Sequence, residues 1–337
     1  MRVKYLTILL LLLLILLFSC KSTRHKNEEK GVSTNQCTTV FQTVLNCNIS
    51  ELKKLITKDS SLVNAKDTTN HLFTPLFYAT QINDLDKFNY LLKNGAEILA
   101  LTDEFIYPQF DVLFVALEYD SDKILKRIIE LNTFDLNKKY NDCENVIYTA
   151  VRNNSPKCLK ILLDHKVNID VTDECSDNEG LSPLGWAALE NSIDAAKLLI
   201  EYGANVNEQK NIKDDTILGN ACSSVDGSLE MVKLLVENGA DIEKANNIKF
   251  TPLMKSVASG KIEIVKYLIA KNANVNAQTD FGGYSPLDYA CSGNNMQMVE
   301  LLLESGANPY LKDKDSLRPI DKLENETDKQ KMRELLK

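Results

Sequence analysis

Three histidines and one short acidic run are the side chains most able to do chemistry in this sequence. The histidines are His25, His71 and His165, and no two of them have the spacing of metal ligands. The acidic run, 173–180, reads Asp-Glu-Cys-Ser-Asp-Asn-Glu-Gly and lacks the alternating ligand order of a calcium loop. We therefore expect no catalytic residue, no metal site and no cofactor.

The eight cysteines raise the question of disulfides. Cys37 and Cys47 bracket a predicted helix of about ten residues, so we expect them about 15 Å apart and out of bonding reach. Cys143 and Cys175 lie in loops of adjacent units, and whether they bond is left open. Three others occupy apolar or small-residue positions of predicted helices and are expected to be buried packing: Cys158, Cys222 and Cys291.

The first twenty residues have the layout of an export signal. Arg2 and Lys4 precede an apolar run of 11 residues, 8–18, which is too short to span a membrane comfortably. The sequence Leu-Phe-Ser-Cys that ends at Cys20 resembles the lipobox of bacterial lipoproteins, in which the cysteine is lipidated. We expect residues 1–19 to be a signal peptide and Cys20 to carry the lipid.

The polar stretch that follows has too few apolar residues to pack, which favours a flexible tether over 20–36 and a folded domain over 37–337. Lys21, directly after the lipidated cysteine, favours the outer membrane by resemblance to enteric sorting. The expected localisation is the bacterial cell envelope, and the leaflet is left open.

An internal repeat in the sequence indicates the helices that would position these side chains. The phrases Thr-Pro-Leu or Ser-Pro-Leu begin at Thr74, Ser182, Thr251 and Ser285, each followed by a short apolar segment. Following the Pro position where other residues replace it gives nine markers with steps of 33 to 37 residues: Val40, Pro75, Val112, Val146, Pro183, Ile217, Pro252, Pro286 and Pro319. Fourteen residues after each marker stands a polar residue followed by apolar residues, within a segment that has helical spacing. The one exception is Lys233, which lies sixteen residues after Ile217.

Ser or Thr caps the first predicted helix of the unit, Pro occupies its first turn, and Gly ends the second helix. This unit, closed by Gly-Ala-Asn-Val-Asn and a turn, resembles the ankyrin repeat from about residue 38 to 337. The resemblance implies an all-α solenoid of about nine helix-turn-helix repeats with β-hairpin tips and atypical caps. The histidine that usually follows Thr-Pro-Leu is replaced from the second repeat onward.

The same resemblance places partners against a concave face formed by hairpin tips and first helices. The residue two before each first helix, which we call the tip residue, is large and apolar in six of eight repeats. With Phe281 from the same loops, the predicted contact residues are Phe73, Phe110, Leu181, Phe250, Phe281 and Tyr284. The competing reading is that these side chains fold down between adjacent hairpins. Trp186 is expected to be a core residue.

Three functions are weighed on this basis. The favoured one is an exported, lipid-anchored protein that binds another protein and catalyses nothing. The alternative is an inhibitor or immunity protein against an exported toxin or enzyme, which the formal charge of -8 favours. An enzyme would have to use His165, Asp173 and Asp177. Net acidity argues against nucleic acid, and no phosphate-binding loop or other small-molecule motif is found.

Overall fold

The computed structural model describes residues 37–70, 72–101, 111–138, 145–172, 180–209, 215–225 and 227–336. Several predictions made on other residues, including the lipidation of Cys20, lie outside these ranges. The others are the contact residue Phe110, the pair Cys143 and Cys175, and the candidate residues Asp173 and Asp177.

Within these ranges nine pairs of helices follow one another, and every first helix begins at a predicted marker. The first helices are α1 (Val40–Asn46), α3 (Pro75–Gln81), α5 (Val112–Glu118), α7 (Val146–Arg152), α9 (Pro183–Leu189), α11 (Ile217–Ser223), α13 (Pro252–Ala258), α15 (Pro286–Ser292) and the 3₁₀ helix Pro319–Lys322. The second helices are α2 (Ile49–Lys58), α4 (Leu85–Lys93), α6 (Asp122–Glu130), α8 (Pro156–Asp164), α10 (Ile193–Glu201), α12 (Leu229–Glu237), α14 (Ile262–Ala270), α16 (Met296–Glu304) and α17 (Glu326–Leu335). A short 3₁₀ helix, Ser60–Asn64, follows α2. The all-α solenoid is confirmed.

Local capping explains why the first helices begin where they do. The Thr251 hydroxyl accepts from the N–H of Met254, and Pro252 occupies the first turn of α13, where a missing N–H costs nothing. In the third and fourth repeats, which lack Ser/Thr-Pro, Asp111 and Asn145 cap α5 and α7 instead. These helices therefore reach the same length, 7 residues, as their neighbours.

The core is a continuous apolar layer between the two rows of helices. In α14, Ile264, Val265 and Leu268 are buried on one face while charged residues occupy the other. Trp186 is 8% exposed and belongs to this core, as predicted. Within the described ranges, no helix is long and apolar enough to cross a membrane.

A ladder of asparagine amides links successive repeats behind the second helices. Asn207 donates from Nδ2 to the carbonyl of Gly239 at 2.8 Å and accepts from the N–H of Asp241 at 2.8 Å. Asn64 and Asn276 make the same pair of bonds to the repeats that follow them. Each amide satisfies one acceptor and one donor of the adjacent turn, which explains the recurrence of Asn at this position.

The exceptional position of Lys233 is explained by a longer turn in the sixth repeat. Five residues separate α11 from α12, whereas three separate α13 from α14. Ser224 still donates its hydroxyl to the carbonyl of Leu189 at 2.5 Å, so the two extra residues are accommodated after it. Val225, at the turn's apex, is 91% exposed.

The prediction that Cys37 and Cys47 are out of bonding reach is wrong. Their Cα atoms are 6.5 Å apart and the two residues form a disulfide. The helix between them, α1, has 7 residues rather than ten, and Cys47 is its extended C-cap. Cys37 lies two residues before the N-cap Thr39, so the incoming chain returns alongside the helix instead of extending its axis. Cys158, Cys222 and Cys291 are buried free thiols, as expected.

Candidate functional site

The described tip residues lie at the hairpin end of the first helices, and most are partly covered. Leu181 is only 5% exposed and packs in the core. Phe73, Phe250 and Tyr284 are half-buried. Each of these four side chains is at least partly covered, and their role as contact residues stays a prediction.

A recurring contact covers part of Phe250 and of Tyr284. In three consecutive repeats the tip residue packs against the fourth residue of the next first helix, a contact we call an interlock. The Phe250 ring lies 5.0 Å from the ring of Tyr289 on α15. The Tyr284 ring lies 4.8 Å beneath the Lys322 ammonium. These contacts hold successive repeats in register at the hairpin end.

The third interlock is ionic. Asp215, the tip residue of the sixth repeat, accepts from the Lys255 ammonium of α13 at 2.7 Å, and both side chains are largely buried. Asn246 donates to the same carboxylate at 2.8 Å. A buried ion pair of this kind needs such added hydrogen bonds to offset the loss of hydration.

At the C-terminal end, the interlock is backed by a buried carboxylate. Lys322 pairs with Asp313, whose side chain is fully covered. This bond raises the pKa of Lys322 and lowers that of Asp313. Asp313 also accepts from the N–H groups of Asp315 and Leu317, so one side chain both shapes the last hairpin and holds the Lys322 cation over the Tyr284 ring.

Three apolar side chains in the same hairpins remain open to solvent, and we call them the apolar tip patch. They are Ile248, Phe281 and Leu317, which are 43%, 79% and 41% exposed. They lie on the hairpins that precede α13, α15 and the 3₁₀ helix Pro319–Lys322. Exposed apolar side chains on successive hairpins make this surface a candidate docking site for another molecule.

The hairpins that carry the apolar tip patch are joined through their backbones. The N–H of Asp280 donates to the carbonyl of Ile248 at 3.0 Å, and the N–H of Lys314 donates to the carbonyl of Gly282 at 2.8 Å. An ion pair of 3.0 Å between Lys249 and Asp280 adds a side-chain link. The three apolar groups are therefore presented on one connected support.

The loop that carries Phe281 is held by Thr279. Thr279 donates its hydroxyl to the carbonyl of Phe281 at 2.7 Å and accepts from the N–H of Tyr284 at 3.0 Å. Gly283, at φ +71°, sits where a Cβ would lie 3.3 Å from the backbone nitrogen of Lys314, so glycine permits the close stacking of the two hairpins. The backbone that carries the exposed ring is therefore held in place before a partner covers it.

The other candidate for chemistry is His165, whose described contacts are with its own repeat and with an open depression. Its Nδ1 donates to the carbonyl of Ile161 at 2.8 Å, a bond within its own helix. An open depression of about 450 Å³ beside it is lined by Asn132, Phe134 and Asp135, among others. No group of His, Cys, Asp and Glu able to hold a metal ion occurs among the described residues.

Phe281 is among the contact residues predicted from the sequence, whereas Ile248 and Leu317 are not, and the interlocks were missed. Ile248 and Leu317 are large apolar residues of the tip loops, so the sequence contains a signal for them. What was absent was the partner of each tip residue, because Asp215 and Lys255 are 40 positions apart and meet only through stacking.

Comparison with known families adds independent support for the architecture. Two stretches, residues 113–210 and 218–313, match the family model described as ankyrin repeats in three copies. Together the two stretches cover more than half of the chain.

Individual relatives are similar over part of their length. The putative ankyrin repeat protein FPV031 of fowlpox virus is 32% identical over 143 residues, 42% of this chain and 40% of that protein. The human transient receptor potential cation channel subfamily A member 1 is 28% identical over 306 residues, 78% of this chain and 26% of that protein. This chain thus spans less than half the length of either relative.

Among solved structures, the ankyrin repeat domain of Bcl-3 superposes with a TM-score of 0.58 at 22% identity. The match covers 69% of this chain and 98% of that domain. At this identity the likeness shows the shared fold alone.

Proposed function

This chain belongs to the ankyrin repeat family, whose members generally mediate protein–protein interaction, and on that premise we propose that it binds another protein through the apolar tip patch. The observation that carries the proposal is the exposure of Phe281 on a rigid, backbone-linked support. Ile248 and Leu317 extend the apolar surface on either side of it. Large aromatic anchors supply much of the energy of typical interfaces, and a fixed backbone lowers the entropy that binding costs.

The six residues predicted to contact the partner have different roles in this proposal. Phe281 is the proposed anchor. Phe250 and Tyr284 contribute their remaining exposed edges, while their main contacts are interlocks. Phe73 and Leu181 serve mainly to pack the stack, and Phe110 stays a prediction outside the described residues.

The test is capture of the partner by crosslinking in the native envelope, followed by mass spectrometry. Phe281→Asp removes the apolar anchor and places a carboxylate there, so we expect the main crosslink to fall roughly 10-fold or more. Val225→Asp is the matched control, because Val225 is also exposed but lies at the opposite end of a first helix. Helical circular dichroism should be unchanged in both variants. Full capture by Phe281→Asp would disprove the proposed site.

We further propose that the protein is exported and held on a bacterial membrane, in the expected case the outer membrane, by a lipid on Cys20. The signal-like segment 1–19 and the lipobox-like sequence motivate this, and the Cys37–Cys47 disulfide supports export because disulfides persist mainly in oxidising compartments. Cys20→Ala should abolish incorporation of labelled fatty acid and release the chain from the membrane fraction. A membrane-bound, unlabelled Cys20→Ala variant would contradict the lipid anchor.

The acidic balance of the chain favours a basic partner within this proposal. An inhibitor or immunity protein for an exported toxin or enzyme is the alternative form, motivated by the formal charge of -8. Formation of a tight complex whose association slows steeply as salt is added would favour that form over a general scaffold.

A further inference from the structure

The Cys37–Cys47 disulfide lies in the terminal repeat, where the stack has an interface on one side only among the described residues. Val40 and Val44 of α1 are buried, but Phe41 and Leu45 are only half-buried against the core. A terminal unit of a solenoid has one neighbour to stabilise it instead of two. Such a unit opens more readily than the units in the middle.

The disulfide encloses this weak helix in a covalent ring. It joins Cys37, before the N-cap, to Cys47, the C-cap, so all 7 residues of α1 lie inside the ring. A bond between the chain that enters the helix and the chain that leaves it restricts the unfolded segment more than the folded one. The folded cap is favoured for that reason.

α1 in turn covers polar and aromatic groups of the second repeat. The Lys87 ammonium is buried and donates to the carbonyl of Val44 at 2.7 Å. The ring of Phe41 lies 5.6 Å from the ring of Tyr78. Opening of α1 would therefore remove a hydrogen bond from a buried cation and expose part of the next repeat.

Among the described cysteines, only this pair is placed to react. Cys37 and Cys47 are partly exposed, whereas the other three are fully buried. Burial raises the pKa of the Cys222 and Cys291 thiols to about 12 and raises that of Cys158 as well. Because the thiolate is the attacking species, those three are poor competitors for exchange.

We infer that Cys37 and Cys47 are a modification site on which an oxidised thiol–disulfide exchange protein acts, and that this oxidation completes the N-terminal cap. One thiolate of the pair attacks the disulfide of the exchange protein, forming a mixed disulfide and releasing one sulfur as a thiolate. The second cysteine then attacks the mixed disulfide, which forms the Cys37–Cys47 bond and frees the exchange protein as a dithiol. Two electrons and two protons pass from this chain to the exchange protein.

This inference is independent of the proposed binding surface and is tested on the full chain in its oxidised and reduced forms. Hydrogen exchange followed by mass spectrometry should show amides of α1 and α2 exchanging roughly 100-fold faster after reduction, the effect expected for a ring of this size. Amides of α13 to α16, at the other end of the stack, should be unchanged. Their protection also shows that the reduced protein is folded.

A double variant, and protein isolated from its native compartment, provide the controls. The double variant Cys37→Ser with Cys47→Ser should behave as the reduced protein and should not respond to added reductant. Protein isolated from its native compartment should yield the linked peptide pair on non-reducing mapping, and partner capture should persist in the double variant. Free thiols at Cys37 and Cys47 in that material, or equal exchange in the oxidised and reduced forms, would overturn the inference.

Discussion

Asp111 combines a capping role with an unfavourable charge. Its carboxylate accepts from the N–H groups of Leu113 at 2.9 Å and Phe114 at 3.3 Å, which begins α5. These bonds lower the carboxyl pKa, but burial outweighs them and raises it to about 6. Asn145, in the next repeat, caps α7 from the same position without a charge, accepting from the N–H of Ile147 at 2.9 Å.

Asp111→Asn should therefore stabilise the protein at neutral pH. Between about pH 4 and 6 the folded carboxyl holds a proton that the unfolded one has lost, so stability from this group falls as the pH rises toward 6. The amide avoids that loss, and we expect a gain of about 1–3 kcal/mol at pH 7.5. Thermal unfolding at pH 7.5 and pH 4 measures it. An equal gain at both pH values would show that the charge is not the cause.

Each interlock joins the tip residue of one repeat to the first helix of the next repeat. The three side-chain pairs differ in chemistry, being ionic for Asp215 and Lys255, aromatic for Phe250 and Tyr289, and cation–π for Tyr284 and Lys322. In each case the tip residue and the fourth residue of the next first helix attract each other. The two positions are therefore the same in all three interlocks, while the type of interaction differs.

An interlock should therefore be transferable between interfaces. Asp215→Phe alone leaves the Lys255 ammonium buried without this carboxylate, and the expected loss of stability is about 3–5 kcal/mol. Adding Lys255→Tyr recreates the Phe250–Tyr289 pair and should recover more than about 1 kcal/mol relative to additivity. Urea unfolding of the two single variants and the double variant measures this coupling. Additive losses would show that the two positions act independently.

Helix starts were predictable because their signals are local. Ser/Thr-Pro caps and the repeat spacing placed the first residue of every first helix, and the shifted position of Lys233 marked the longer turn after α11. The length of α1 was less predictable. No sequence signal ended the helix at Asn46, so the return of the chain that brings Cys37 to Cys47 was missed.

For the molecule as a whole, the repeat fixes the architecture but not which apolar side chains remain exposed. Phe250 and Phe281 are aromatic residues of adjacent hairpins, yet the first is half-buried and the second is 79% exposed. Phe250 packs against Tyr289 of the next repeat, with 5.0 Å between the ring centroids, whereas Phe281 stays largely exposed to solvent. Such contacts join positions about 40 residues apart and form only when the repeats stack, so the local sequence does not reveal them.

The central claim is that the hairpin tips of the last repeats bind one protein partner. The most direct test places a photoreactive amino acid, in separate variants, at positions 248, 281 and 317 and at position 225 as the control, in cells that express the full chain. The account predicts that the first three positions crosslink to the same protein and that position 225 does not. Crosslinks to that protein from position 225, or three unrelated products from the tips, would contradict it.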